Sequence, residues 1–84
     1  MKTIATAGNT VVPALLALES LGFTVIVDQT RSSELFRATR GDETYVAEDP
    51  EALLGLVKLI EVRGWDWHPD DAEIHDVMQR YGLS

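Results

Sequence analysis

The sequence predicts a single α+β domain: a helix, a three-stranded antiparallel sheet and two further helices, with room for an extra N-terminal edge strand. Three local signals carry that prediction. Gly41-Asp42 lies between two strand-like runs, Glu34–Arg40 and Glu43–Glu48, as a hairpin turn. Asp49-Pro50-Glu51 and Asp70-Asp71-Ala72-Glu73 both read as helix starts. At 84 residues the chain has room for one core and one domain, residues 1–84.

Taken in order, Met1–Ala7 places Ile4 among threonines, the pattern of a short edge strand. Gly8-Asn9-Thr10 is a turn, and Thr10 is placed to cap a helix whose first turn holds Pro13. Val11, Ala14, Leu15, Leu18 and Leu21 then recur at spacings of three and four, one apolar stripe that Gly22 ends. Phe23–Val27 is aromatic and β-branched and reads as a strand with Phe23, Val25 and Val27 on one face. Asp28–Ser33 reads as a loop.

A two-residue turn at Gly41-Asp42 sets the hairpin register: Arg40 faces Glu43, Ala38 faces Tyr45 and Phe36 faces Ala47. Small opposes large around Tyr45, and the closing pair has opposite charges. The helix opened by Asp49 runs to Arg63 with a main stripe of Leu53, Leu56, Val57 and Ile60, widened by Leu54, Leu59 and Val62. So apolar a helix belongs at the centre of the fold or against a second subunit. Gly55 in its middle costs about 1 kcal/mol of helix propensity against alanine, which is either offset by a close backbone approach there or simply tolerated. If Gly64 is left-handed, Trp65 packs back onto Ile60 as in a Schellman motif. The last helix has a core stripe of Ile74, Val77, Met78 and Tyr81, a Pro69–Ile74 staple and a stop at Gly82.

The net charge of −7 is unevenly placed. Asp42–Glu51 carries −5 and residues 64–84 carry −4, which leaves the remainder at +2. An acidic chain lacks the positive field that nucleic acid or an anionic membrane surface requires, and no apolar run is long enough to span a bilayer. The α-β-β-β-α order resembles the double-stranded-RNA-binding domain in topology. Such domains meet phosphates at the start of the helix after the sheet, where this chain has Asp49-Pro50-Glu51. Having no cysteine, the chain forms no disulfide and offers no thiol, which accords with a cytoplasmic setting. The apolar residues after Lys2 are interrupted by Asn9, Thr10 and Pro13, against a secretory signal.

Few constellations suggest chemistry. Arg40-Gly41-Asp42 is accounted for by the hairpin, and Thr6–Thr10 before a helix lacks the lysine and glycine spacing of a phosphate loop. No serine lies in the signature of an activated nucleophile. His68, Asp71 and His75 make a weak oxygen–imidazole metal set at no established zinc spacing. No cofactor is implied. The segment Gly64–Asp71 is the richest: Trp67 among Asp66, Asp70, Asp71 and Glu73 has the composition of an interaction hot spot.

The expected function is a non-catalytic interaction module for a protein partner, a basic one by charge complementarity. Small acidic bacterial inhibitors, such as immunity proteins that neutralise basic nuclease toxins, are similar in size and charge. The alternatives are a homo-oligomeric accessory domain, with a homodimer through Asp49–Arg63, and a small ligand-binding or metal-dependent enzyme domain.

Overall fold

The computed structural model describes residues 1–5, 9–29 and 33–83. Its elements are α1 (Val11–Ser20), β1 (Thr24–Gln29), β2 (Glu34–Arg40), β3 (Glu43–Ala47), α2 (Pro50–Arg63) and α3 (Asp71–Tyr81). The strands form an antiparallel sheet in the order β1-β2-β3, so the chain is the small α+β domain that the sequence predicts.

The hairpin has the predicted register, with Arg40 opposite Glu43, Ala38 opposite Tyr45 and Phe36 opposite Ala47. Gly41 takes φ 60°, and no non-glycine residue among those described has positive φ. That combination is what a type II′ turn asks of its two central residues. β1 runs two residues past its predicted end because polar pairs extend it: Arg37 donates to Asp28 at 3.0 Å and Gln29 to Glu34 at 2.8 Å. The expected loop 28–33 is correspondingly shorter, and Thr30, Arg31 and Ser32 lie outside the described residues. Val27, expected on the inner face, is 45% exposed where the sheet outruns its helical cover.

At the N-terminus residues 1–5 are irregular, and no fourth strand exists among the described residues. The phosphate-loop candidate Thr6–Thr10 falls largely outside them. Thr10 does not cap α1: the Asn9 side chain accepts the Val11 N–H at 3.1 Å, while the Thr10 hydroxyl donates to Glu51 of α2 at 2.5 Å. The other end of α1 is closed by a Schellman motif. Gly22, at φ 93°, donates to the Glu19 carbonyl and Phe23 to that of Leu18. This brings Phe23 and Leu18 into one core.

That core is Leu18, Phe23, Phe36, Ala38, Tyr45, Leu53 and Val57, closed by partly buried Leu15, Val25, Ala47, Leu54, Leu56 and Ile60. α1 and α2 pack on each other and over one face of the sheet, with α2 in contact with α1, β2 and β3. The apolar width of α2 is thereby explained within one chain. Val62, at 72% exposure, is its main uncovered apolar residue. Among the described residues nothing approaches Gly55, where an added Cβ would meet no atom within 4 Å.

α3 breaks the pattern. Its start is as predicted: Asp70 accepts from Glu73 N–H at 2.8 Å while Glu73 accepts from Asp70 N–H at 3.0 Å, a full capping box. Yet the predicted core stripe is not core. α3 buries no residue, and Ile74, Val77 and Tyr81 are 45%, 39% and 68% exposed. The helix stands off the rest of the fold, and the Cα radius of gyration is 15.4 Å, against about 12 Å for a compact chain of this length.

Candidate functional site

The segment that the sequence marks as the interaction site leaves α2 through Gly64. That residue has φ 84° and ψ 179° and donates to the Ile60 carbonyl at 2.7 Å. With ψ extended rather than left-handed, the chain does not fold back, so no Schellman contact carries Trp65 to Ile60. Instead the Trp65 ring stacks on Tyr45, centroids 5.6 Å apart, and Tyr45 meets Phe23 edge-on at 5.6 Å. Trp65 keeps 61% of its surface exposed. Trp67 is half-buried, stacked on His68 at 3.9 Å, and its carbonyl accepts from Arg63 Nε at 3.0 Å.

Of the two tryptophans, Trp65 is therefore the more open, an aromatic platform that sequence reasoning assigned to packing. The available signal was the hairpin register. Ala38 opposite Tyr45 frees the Tyr45 ring to carry a neighbour.

Asp66, Asp70, Asp71 and Glu73 are all exposed. Among the described residues the bases Arg37, Arg40, Lys58, Arg63 and Arg80 are each engaged by a carboxylate: Asp28, Glu43, Glu61, Glu73 and Asp76 respectively. The Arg63–Glu73 pair is the loosest, at 4.0 Å. Asp66, Asp70 and Asp71 have no cation opposite them among the described residues. No group of three or more His, Cys, Asp or Glu among the described residues is arranged to hold a metal, so His68, Asp71 and His75 are not assembled into one.

The densest polar network lies elsewhere, at the closed end of the hairpin. Arg40 donates to Glu43 at 3.1 Å and to the Leu21 carbonyl at 2.8 Å, and its guanidinium lies 4.3 Å from the Phe23 ring centre. Tyr45 donates its hydroxyl to Glu43 at 2.8 Å. The Arg40 hydrogen bond, and then that from Tyr45, hold the Glu43 carboxyl below its ordinary pKa. Burial, reinforced by Glu43, pushes the Tyr45 hydroxyl up. This network ties the end of α1 to the hairpin.

Two open grooves lie among the described residues. One of about 460 Å³ runs between α1 and α2, lined by Thr10, Pro13, Ala14, Glu51, Leu54, Gly55 and Lys58. The other, about 290 Å³, lies along α3 between Arg63, Pro69, Glu73, Ile74, Val77 and Met78. Pro69 and Ile74, the predicted staple, both line it. No helix is long and apolar enough to cross a membrane among the described residues. No protein-family model, curated protein or solved structure matches the chain.

Proposed function

We propose that the chain is a non-catalytic interaction module that binds a basic protein partner through the loop between α2 and α3. The observation that carries this reading is the run of Asp66, Asp70 and Asp71, exposed and without a cation opposite them among the described residues, beside Trp65 and Trp67. Unneutralised carboxylates beside aromatic surface suit a partner that supplies lysine or arginine. A negative field of this kind also speeds the encounter with a positive protein. The loop is short and anchored at both ends, by the Gly64 bond to Ile60 and by the capping box, so little freedom is lost on binding. An inhibitor of a basic enzyme fits this description, and a cysteine-free chain suits the reducing cytoplasm.

The test is affinity capture from the native organism, identification of the captured protein, and reconstitution from purified components. Trp67→Ala combined with charge reversal at Asp70 and Asp71 is expected to abolish the reconstituted complex. Added salt is expected to weaken the wild-type complex. Recovery of the same partner at unchanged affinity by the triple variant would refute the reading.

A further inference from the structure

β1 is an edge strand, paired by β2 on one side only. In a two-residue hairpin the closing pair, here Arg40 and Glu43, exchanges hydrogen bonds, and the ladder alternates from that pair. Ala38 and Phe36 therefore address β3, whereas Thr39, Arg37 and Leu35 address β1 through Thr24, Ile26 and Asp28. The N–H and C=O groups of Val25 and Val27 are left pointing away from the sheet. No other backbone group bonds to them among the described residues. The strand also lacks the devices that blunt an edge, having no proline, no lysine and no bulge.

The same flank continues into α1, which packs on β1 and α2, while α2 covers β2 and β3. Pro13 and Ala14 turn toward α2 across the groove, and Leu15 and Leu18 turn toward the core. Val12 and Leu16, one turn apart, are left on the outer side, above the β1 edge. Each is about half exposed, as are Ile26 and Val27 on the strand.

Charge is missing from this flank. Positions 3–27 contain one charged residue, Glu19, in a chain that is 25% charged. Depletion of charge around apolar side chains distinguishes the core of a protein contact from ordinary surface. The other acids begin at Asp28, which Arg37 engages, and are concentrated beyond Gly41. Such a flank fits a neighbour that brings an open strand edge and an apolar helix side in matching positions. A second copy brings both.

We propose that the β1 edge is the contact of a two-fold homodimer, in which two copies of β1 pair antiparallel about Ile26 into a six-stranded sheet. Val25 then lies opposite Val27 of the second copy, and the outward N–H and C=O groups of both residues are satisfied. Val27 gains apolar cover on the inner face, and Ile26 meets Ile26 of the second copy on the outer face. The axis is normal to the sheet, so the two copies of α1 run antiparallel above the seam, with Val12 and Leu16 between them. The two copies of Glu19 fall at opposite ends of that helix pair. The proposal does not rest on the basic partner, since Asp66, Trp67, Asp70 and Asp71 take no part in it. One strand and one helix side per copy make a small contact, so the association is weak and depends on concentration.

Sedimentation equilibrium and residue-resolved amide exchange, from about 10 μM to 1 mM, test it. The wild type is expected to shift from monomer to dimer. In step, exchange at Val25 and Val27 should slow, while Thr24, Ile26 and Asp28, already bonded to β2, change little. Ile26→Lys is expected to stay monomeric, because like charges would meet on the axis, and near-ultraviolet dichroism checks that its core is intact. Val12→Glu puts an acid in the first turn of α1, which suits the helix dipole. It should keep the fold and weaken the dimer by about tenfold or more, since the charge enters the contact twice. Added salt should tighten the dimer by screening two copies of charge −7, the opposite of its effect on a complex with a basic partner. A wild type that stays monomeric up to the highest concentration would overturn the proposal. So would a dimer that leaves exchange at Val25 and Val27 unchanged, a folded Ile26→Lys or Val12→Glu dimer as tight as the wild type, or a dimer that salt dissociates. Charge reversal at Asp70 and Asp71 separates the two ideas: it should abolish capture of a basic partner and leave self-association in place.

Discussion

Asp49 and Asp70 each cap a helix through a carboxylate that accepts an N–H three residues on, from Ala52 at 2.6 Å and from Glu73 at 2.8 Å. The helices that follow meet different surroundings. α2 places Leu53 and Val57 in the core beneath α1 and against the sheet, whereas α3 buries nothing. Equivalent local signals thus produce one helix that builds the domain and one that leaves it. Capping determines where a helix begins, and an apolar stripe determines which face seeks cover. Neither determines what provides the cover.

The largest expected effect tests that contrast directly. Leu53 has no exposed surface, and Leu53→Ala is expected to cost about 2–5 kcal/mol through lost burial and the cavity left behind. Val77→Ala, measured where the chain is monomeric, is expected to cost less than about 0.5 kcal/mol. Urea denaturation followed by near-ultraviolet dichroism reads both. Similar costs for the two would show that α3 packs on its own domain.

What was legible in the sequence divides along the same line. The hairpin register, the capping box of α3 and the ends of α2 depend on residues two to four apart, and these were readable because the interactions are as local as the pattern. The position of α3 depends instead on the path from Gly64 to Pro69. There one dihedral, ψ 179° at Gly64, sends the chain outward rather than back. No residue pattern encodes that choice, since glycine accepts either conformation. The roles of the tryptophans followed it. With no fold-back at Gly64, Trp65 went to Tyr45 as an open platform and Trp67 became half-buried beside His68. The acids of the site were legible as residues, but their lack of cations was not. That required seeing Arg40 drawn to Glu43 and Leu21, and Arg63 to Trp67.

A second prediction concerns how the core side is fastened. Arg40 joins the end of α1 to the hairpin through the Leu21 carbonyl, the Phe23 ring and Glu43. Its side chain is 40% exposed, so its ion pair contributes little. The bond to the carbonyl and the contact with the ring are the larger parts, and Arg40→Ala is expected to cost about 1–2 kcal/mol. Arg40→Lys should recover only part of this, because an ammonium cannot reach carbonyl, ring and carboxylate together. Full rescue by lysine in thermal denaturation would show that charge alone matters.

Gly55 offers a smaller effect of opposite sign. It lies in the middle of α2, and an added methyl group would meet open space. Gly55→Ala is therefore expected to stabilise the domain by up to about 1 kcal/mol through helix propensity. Because Gly55 also lines the groove between α1 and α2, the variant reports on that groove as well. If the groove is bare in solution, melting temperature rises and partner capture is unchanged. A gain in stability with a loss of capture would move the binding surface from the α3 side of the molecule to the α1–α2 side.

The smallest effect is a dependence on pH, and it too should distinguish the two regions. Glu43 has a depressed pKa in the folded chain, from the Arg40 and Tyr45 hydrogen bonds. Its contribution to stability is therefore present above the ordinary carboxylate value and is lost as pH falls through the lower, folded value. Tyr45 has a raised pKa from burial and from Glu43, so its contribution is complete below about pH 10 and is lost as pH rises through the folded value. Glu43→Gln should flatten the acid limb of the stability profile, and Tyr45→Phe the alkaline limb. Both limbs belong to the core, because α3 contains neither residue of the network. On acidification the near-ultraviolet signal of Tyr45 and its neighbours should accordingly respond to Glu43, while the helical signal of α3 should not follow it. If one transition carried both signals, α3 and the core would be a single cooperative unit, and the independence inferred from the exposed stripe would be lost.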